Sequence, residues 1–284
     1  MEYLVASSGG NDSIALMQLM HEKKKDFGVV YNNTGWARDD WAARIKRVAD
    51  WCFARGVVFY ETKSEGMEAL VRRKKGWPMP ASAMQFCTSE LKEKPTLELL
   101  DRIDADKELT IVTGRRREES QNRRDLAQYQ DESKKHGGRD VWNPLYLHDE
   151  EMRDVLIKSA GFEPLPHSSM ECYPCVCANK TDLSCMPKDD PRIDEIEKIE
   201  IEMGFTRNEK PRTMFRPYRV GGGVGFRMAV EWGHGKRGWK APYVPEVYTF
   251  KGDATEAESD IAYDENTKEG REFARQCDGG YCGN

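Results

Sequence analysis

The chain has 284 residues, room for one large domain or two smaller ones, and it can bury a sizeable core without an external staple. With 33% charged residues and no apolar run near the ~20 needed to span a bilayer, the composition excludes a membrane-embedded protein. The formal net charge of −5 gives no support to bulk electrostatic binding of nucleic acid.

The start, Met1-Glu2-Tyr3-Leu4, carries an acid and lacks the basic and long apolar regions of a secretion signal, so a cytoplasmic protein is expected. Tyr3–Ala6 reads as a buried strand, and Ile14, Leu16, Met17, Leu19 and Met20 as the apolar set of a helix. Phe27–Tyr31 is a second strand. Trp41–Arg55 is a second helix, with Ile45, Val48, Ala49 and the core residue Cys52 on one face. Val57–Tyr60 and Leu109–Val112 read as the third and fourth strands. Strands alternating with helices predict an α/β fold, a parallel Rossmann-like sheet whose ligands sit beyond the carboxyl ends of the strands. The polar segments after the first, second and fourth strands should then face one pocket.

A helix is expected after Asn143-Pro144-Leu145, opened by His148–Glu151 and carrying Met152, Val155, Leu156 and Ile157. An irregular loop with Pro164, Pro166 and a cysteine cluster follows. Asp190-Pro191-Arg192 opens a helix over Ile193–Met203 that Gly204 ends. From Phe205 onward glycines and aromatics predict a loop-rich appendage with short strands and a flexible tail.

The first chemical segment is Ser7-Ser8-Gly9-Gly10-Asn11-Asp12-Ser13, between strand and helix. Adjacent glycines let backbone N–H groups turn inward, the helix N-terminus adds positive potential, and Ser8 and Ser13 add hydroxyls. The loop should hold a phosphate or sulfate. It is not a Walker A loop, since the Gly-Lys-Ser/Thr ending is missing; the plain alternative is a Gly-Gly turn with Asp12 or Ser13 as an N-cap. The second segment holds Arg115, Arg116, Arg117, Arg123 and Arg124. Guanidinium groups grip phosphate and sulfate with a planar two-point fork. Arg116 and Arg123, with Lys92, are the preferred anion contacts; Arg117 and Arg124 read equally well as a solvated face.

Eight cysteines in a long, unsignalled chain point to metal or redox thiols rather than disulfides. Cys172-x-x-Cys175-x-Cys177 supplies two ligands to one metal centre; Cys185 is the nearest further donor and Cys87 a distant one. A structural zinc and free thiols are the competing readings. Cys277 and Cys282 sit in a glycine-flanked tail, where a thiol could swing into a pocket or be incidental.

Taken together, these segments resemble the adenine nucleotide alpha hydrolase-like (PP-loop) superfamily and, within it, the phosphoadenosine phosphosulfate (PAPS) reductase family. Ser8-Gly9-Gly10-x-Asp12-Ser13 resembles its pyrophosphatase loop, Asn33-Thr34-Gly35 its nucleotide-side turn, and Cys87-Thr88-x-x-Leu91-Lys92-x-x-Pro95 its Cys/Lys/Pro segment. Thr113-Gly114, with Arg116, Ser120 and Arg123, resembles its Gly-x-Arg-x-x-Glu-Ser-x-x-Arg block. Glu171-Cys172-x-x-Cys175 stands where the family has Gly-Cys-x-x-Cys. The resemblance covers about residues 1–187, read as the nucleotide-binding domain, with 188–284 as the appendage.

The resemblance implies an adenylyl nucleotide (PAPS, adenylyl sulfate or ATP) on the Ser8–Ser13 loop, Thr34, Gly35, Gly114, Arg116 and Arg123, with catalytic roles for Asp12, Lys92 and Cys282. Tyr281-Cys282-Gly283 is similar to the reductases' nucleophile motif but lacks its acid and histidine. A thioredoxin-like reductant would be the partner, and a homo-oligomer is compatible with the reading. The iron–sulfur branch implies a 4Fe–4S cluster on Cys87, Cys172, Cys175 and Cys185. That branch has two adjacent cysteines where this chain has Phe86-Cys87. The rival reading is an ATP pyrophosphatase-type sulfur transferase, which would need a cysteine desulfurase and a nucleic-acid acceptor. Asn11, where many ATP-cleaving members carry Lys, argues against it. A nucleotide- or cluster-binding regulatory protein is the non-catalytic alternative.

Overall fold

The computed structural model describes residues 1–79, 85–119 and 123–250. Six strands form one sheet: β1 (Tyr3–Ser7), β2 (Phe27–Asn33), β3 (Val58–Lys63), β4 (Thr110–Val112), β5 (Tyr129–Ser133) and β6 (Arg139–Trp142). The helices are α1 (Asn11–Glu22), α2 (Trp41–Phe53), α3 (Met67–Lys74), the single turn α4 (Phe86–Thr88), α5 (Lys94–Ile103), α6 (Glu150–Ser159), α7 (Lys180–Ser184), α8 (Pro191–Met203) and α9 (Phe226–His234). Among these residues no helix is long and apolar enough to cross a membrane.

The sheet order is β3-β2-β1-β4-β6-β5, parallel throughout except for the antiparallel β5–β6 pair. From β1 the chain steps outward through β2 to β3, then returns to the other side of β1 for β4. That reversal makes the β1/β4 boundary the topological switch point, where open α/β sheets leave a ligand crevice beyond the strand ends. Alternation along the strands sends Val5, Val29 and Val112 to one face, against Ile14, Met17, Val48, Leu156 and Ile157 of α1, α2 and α6. Leu4, Val30, Ile111 and Val141 go to the other, against Leu99 and Leu100 of α5. Both faces are covered, which is why β1, β2 and β4 read as nearly unbroken apolar runs.

The described residues divide into two compact units: Met1–Met67 with Cys87–Tyr173, which holds the sheet, and Glu68–Phe86 with residues 174–250. In the second unit, Asp190 caps α8 by accepting from the Arg192 N–H at 2.9 Å, and Gly204 ends it with φ +63°. Glu200, buried on α8, accepts from the Met214 N–H (2.7 Å), the Phe226 N–H (2.9 Å) and the Tyr248 hydroxyl (2.6 Å), tying three later segments to one helix. Burial pushes its carboxyl up to about 7, against those three donors. Among the described residues beyond Phe205 the expected short strands do not form. Among the described residues this stretch has one isolated bridge, Phe205–Pro211, and the helix α9.

Candidate active site at the switch point

The loop after β1 and the loop after β4 meet at the switch point. Gly9 has φ +72°, a conformation that L side chains rarely adopt, and a Cβ there would come within 2.6 Å of Ile45 Cδ1. Its carbonyl accepts from Arg44 Nε at 2.7 Å, while Trp41 Nε1 donates to the Ser8 carbonyl at 3.2 Å, so α2 grips the loop from behind. Gly10 is the N-cap of α1 and makes no side-chain cap; Ser13 Oγ donates back to the Gly10 carbonyl at 2.9 Å. The first amides of a 12-residue helix thus open at the crevice without a capping side chain, the arrangement that binds anions.

A second wall comes from the segment before the cysteines. Asn11 and Leu165 exchange two hydrogen bonds, Asn11 Nδ2 donating to the Leu165 carbonyl (2.9 Å) and the Leu165 N–H to Asn11 Oδ1 (2.8 Å). Ser169 Oγ donates to the Ser8 carbonyl at 3.2 Å. Asn11 therefore has a structural task.

Gly114 follows β4 and packs directly on the first turn of α1; a Cβ there would lie 3.0 Å from the Asp12 carbonyl oxygen. Two residues on, Arg116 Nε donates to Asp12 Oδ1 at 2.6 Å, and Nη1 reaches Glu118 (3.2 Å) and the His148 carbonyl (3.4 Å). The Arg116 side chain is 4% exposed and that of Asp12 17%. Arg116, expected to meet an anion, is held by an internal carboxylate, with Nη2 left over among the described residues. Arg123 is likewise ion-paired to the buried Glu119. Arg117 is structural, donating to the Leu126 carbonyl at 2.9 Å over the Tyr146 ring, and Arg124 is exposed.

At the end of β2, buried Thr34 donates through its N–H and Oγ1 to Glu171 Oε1, both at 2.9 Å, and Tyr31 Oη donates to Glu171 Oε2. Gly35 follows with φ +63°. Burial raises the Glu171 carboxyl above the usual carboxylate range, opposed by Tyr31, Thr34 and the nearby Lys92 charge. Lys92 is itself buried in a π-helical turn, Ser89–Glu93, that leads from α4 into α5; such turns are rare and concentrate at functional sites. The role of Glu171 was not read from the sequence. The available signal was an acid standing where the resembled motif has Gly.

Cys87 is buried on α4 and Cys172 half-buried, both in the first unit. In the second, Cys175 and Cys177 are half-buried and Cys185, at the end of α7, is exposed. The Cys177 N–H donates to Cys175 Sγ at 3.4 Å, and Gln85 Nε2 to Cys177 Sγ at 3.3 Å. Among the described residues no three or more His, Cys, Asp or Glu side chains are grouped to hold a metal ion. The four expected ligands are thus divided two and two between the units. Cys52 is core, its thiol pushed up to about 12 by burial. Cys277, Cys282 and Ser120 lie outside the described residues.

A search of curated proteins finds no match to the chain. The family description of the phosphoadenosine phosphosulfate reductase domain matches residues 2–174, a span that contains the Ser8–Ser13 loop, Thr34, Lys92, the Arg116 loop and Glu171. The chain belongs to the phosphoadenosine phosphosulfate reductase domain family, whose members are nucleotide-binding enzymes of sulfur metabolism.

Proposed function

We propose that the protein reduces the sulfonate of an adenylyl nucleotide to sulfite through a cysteine thiol. The observation that carries this reading is the uncapped start of α1 at the switch point, set between the Gly9-Gly10 turn and Gly114. The nucleotide's anionic groups would lie on the amides after Gly10, with Ser8 and the remaining Arg116 donor beside them. Lys92 would supply the buried positive charge for the transferring group. The Arg116 pair holds Asp12 in place, so Asp12 would orient the loop rather than meet the anion directly.

In this reading the Cys282 thiolate attacks the sulfonate sulfur, the bond from sulfur to the phosphate oxygen breaks, and the nucleotide leaves. A thioredoxin-like dithiol then attacks Cys282 Sγ. Sulfite departs with the electron pair, and the mixed disulfide is resolved by the second thiol of the reductant. Two electrons pass from dithiol to sulfur. The engagement of Asn11 with Leu165 supports this over ATP cleavage, because it fills the position where many ATP-cleaving relatives place a cation.

The test is sulfite release from PAPS and from adenylyl sulfate with thioredoxin, for the parent and for Cys282→Ser. The expected result is turnover in the parent, with one nucleotide preferred, and none in the variant. Full turnover in Cys282→Ser would refute the mechanism, and pyrophosphate release from ATP that depends on Asp12 would replace it with sulfur transfer.

A further inference from the structure

Residues 205–250 carry nine Lys and Arg against three Asp and Glu, in a chain whose net charge is −5. Most of these cations are occupied: Arg212 donates to the Phe205 carbonyl, Arg219 to the Val176 carbonyl, and Arg227 to Asp194 and Glu197. Lys236, Arg237 and Lys240 differ. All three are exposed, and among the described residues none has an ion-pair partner.

They sit on a loop that is firmly built. The Trp239 N–H closes a turn on the Lys236 carbonyl at 3.1 Å, with Gly238 at φ +83°, the geometry of a turn whose third residue must be left-handed. A fourth cation, Lys180, donates to the same Lys236 carbonyl at 3.0 Å while lying over the Trp232 ring. The Ala241 N–H donates to the Gly221 carbonyl at 3.0 Å, and a Cβ on Gly221 would come within 2.6 Å of the Trp239 carbonyl. Two aromatics flank this anchor: Tyr218, 83% exposed and three residues before Gly221, and Tyr243, 59% exposed. Exposed cations on an anchored loop, with exposed aromatics at its end and three residues from its anchor, suit a ligand with regularly spaced phosphates and stackable rings. An acidic protein surface would use the charges and leave the aromatics idle.

We infer that the Lys236–Tyr243 loop, with Tyr218, is a docking surface for a single nucleic-acid strand. The inference is independent of the reductase reading, because no residue of the switch-point site takes part.

The test is fluorescence anisotropy of the full chain with labelled single-stranded DNA and RNA oligonucleotides across a salt series. Polyglutamate serves as competitor. The parent should bind at least one strand in a salt-dependent manner. Replacing Lys236, Arg237 and Lys240 together by Ala should weaken binding at least about tenfold and flatten the log–log salt slope by about 2, the share of three phosphates on a single strand. Tyr218→Ala should weaken binding about tenfold with an unchanged slope. Circular dichroism and sulfite release should not change in either variant, since these side chains are exposed and outside the site. A parent that binds neither strand, a triple variant with the parent's affinity and slope, or equal competition by polyglutamate would each overturn the inference. Preference for DNA or for RNA identifies the strand.

Discussion

The Asp12–Arg116 pair ties the loop after β1 to the loop after β4, and a double-mutant cycle measures how much of the site depends on it. Arg116 makes its short contact with Asp12 from a 4% exposed position. Its second carboxylate, Glu118, is 56% exposed and contributes little. Removing one partner of a buried pair costs about 3–5 kcal/mol, because the other is left as an uncompensated charge. Asp12 retains 17% exposure, so Arg116→Met belongs at the low end, about 3 kcal/mol. Asp12→Asn keeps one acceptor for Nε and should cost about 2 kcal/mol. With both changed no orphan charge remains, and the double variant should cost about 3 kcal/mol, a coupling of about 2 kcal/mol. Urea denaturation of the four proteins gives the cycle, provided the m-values agree. A coupling below about 0.5 kcal/mol, the scatter for sites that do not interact, would refute the view that this pair holds the two loops together.

Gly114→Ala should destabilise by about 1–3 kcal/mol and lower affinity for an adenylyl nucleotide, since its Cβ would meet the Asp12 backbone at 3.0 Å; a variant with parental stability and binding would remove that contact from the account. Glu200 sets a pH dependence in the second unit. Its folded pKa of about 7 lies above the ordinary 4.5, so between those values the folded chain holds more protons than the unfolded one. Stability from this group is therefore complete below about pH 4.5 and is lost as pH rises towards 7, with a slope of at most about 1.4 kcal/mol per pH unit. Urea midpoints of the parent and Glu200→Gln across that window should show the slope only in the parent, and parallel profiles would refute the assignment.

Much of the fold was legible because its signals are local. β1, β2 and β4 are short apolar runs flanked by polar loops, and α2 and α8 carry clear periodicity and end signals. The β5–β6 hairpin was missed: four of the five β5 residues are exposed and Glu132 has φ +46°, so no alternation marks it. The helix α9 was hidden by the glycines around it. Within the site, the anion loop and the importance of Gly114 and Arg116 could be read from residue types in order along the chain.

What the residues alone could not assign is who meets whom. By type, Arg116 was an anion ligand; the sheet order brings β4 beside β1 and turns it into the partner of Asp12, 104 positions away. Glu171 read as one position of a cysteine motif, and the fold makes it the buried acceptor of Tyr31 and Thr34. Strands, helix ends and glycine turns follow from interactions a few residues apart, which a sequence displays directly. Charge pairing and burial depend on contacts between distant segments, and only the assembled sheet, with its switch point between β1 and β4, decides those.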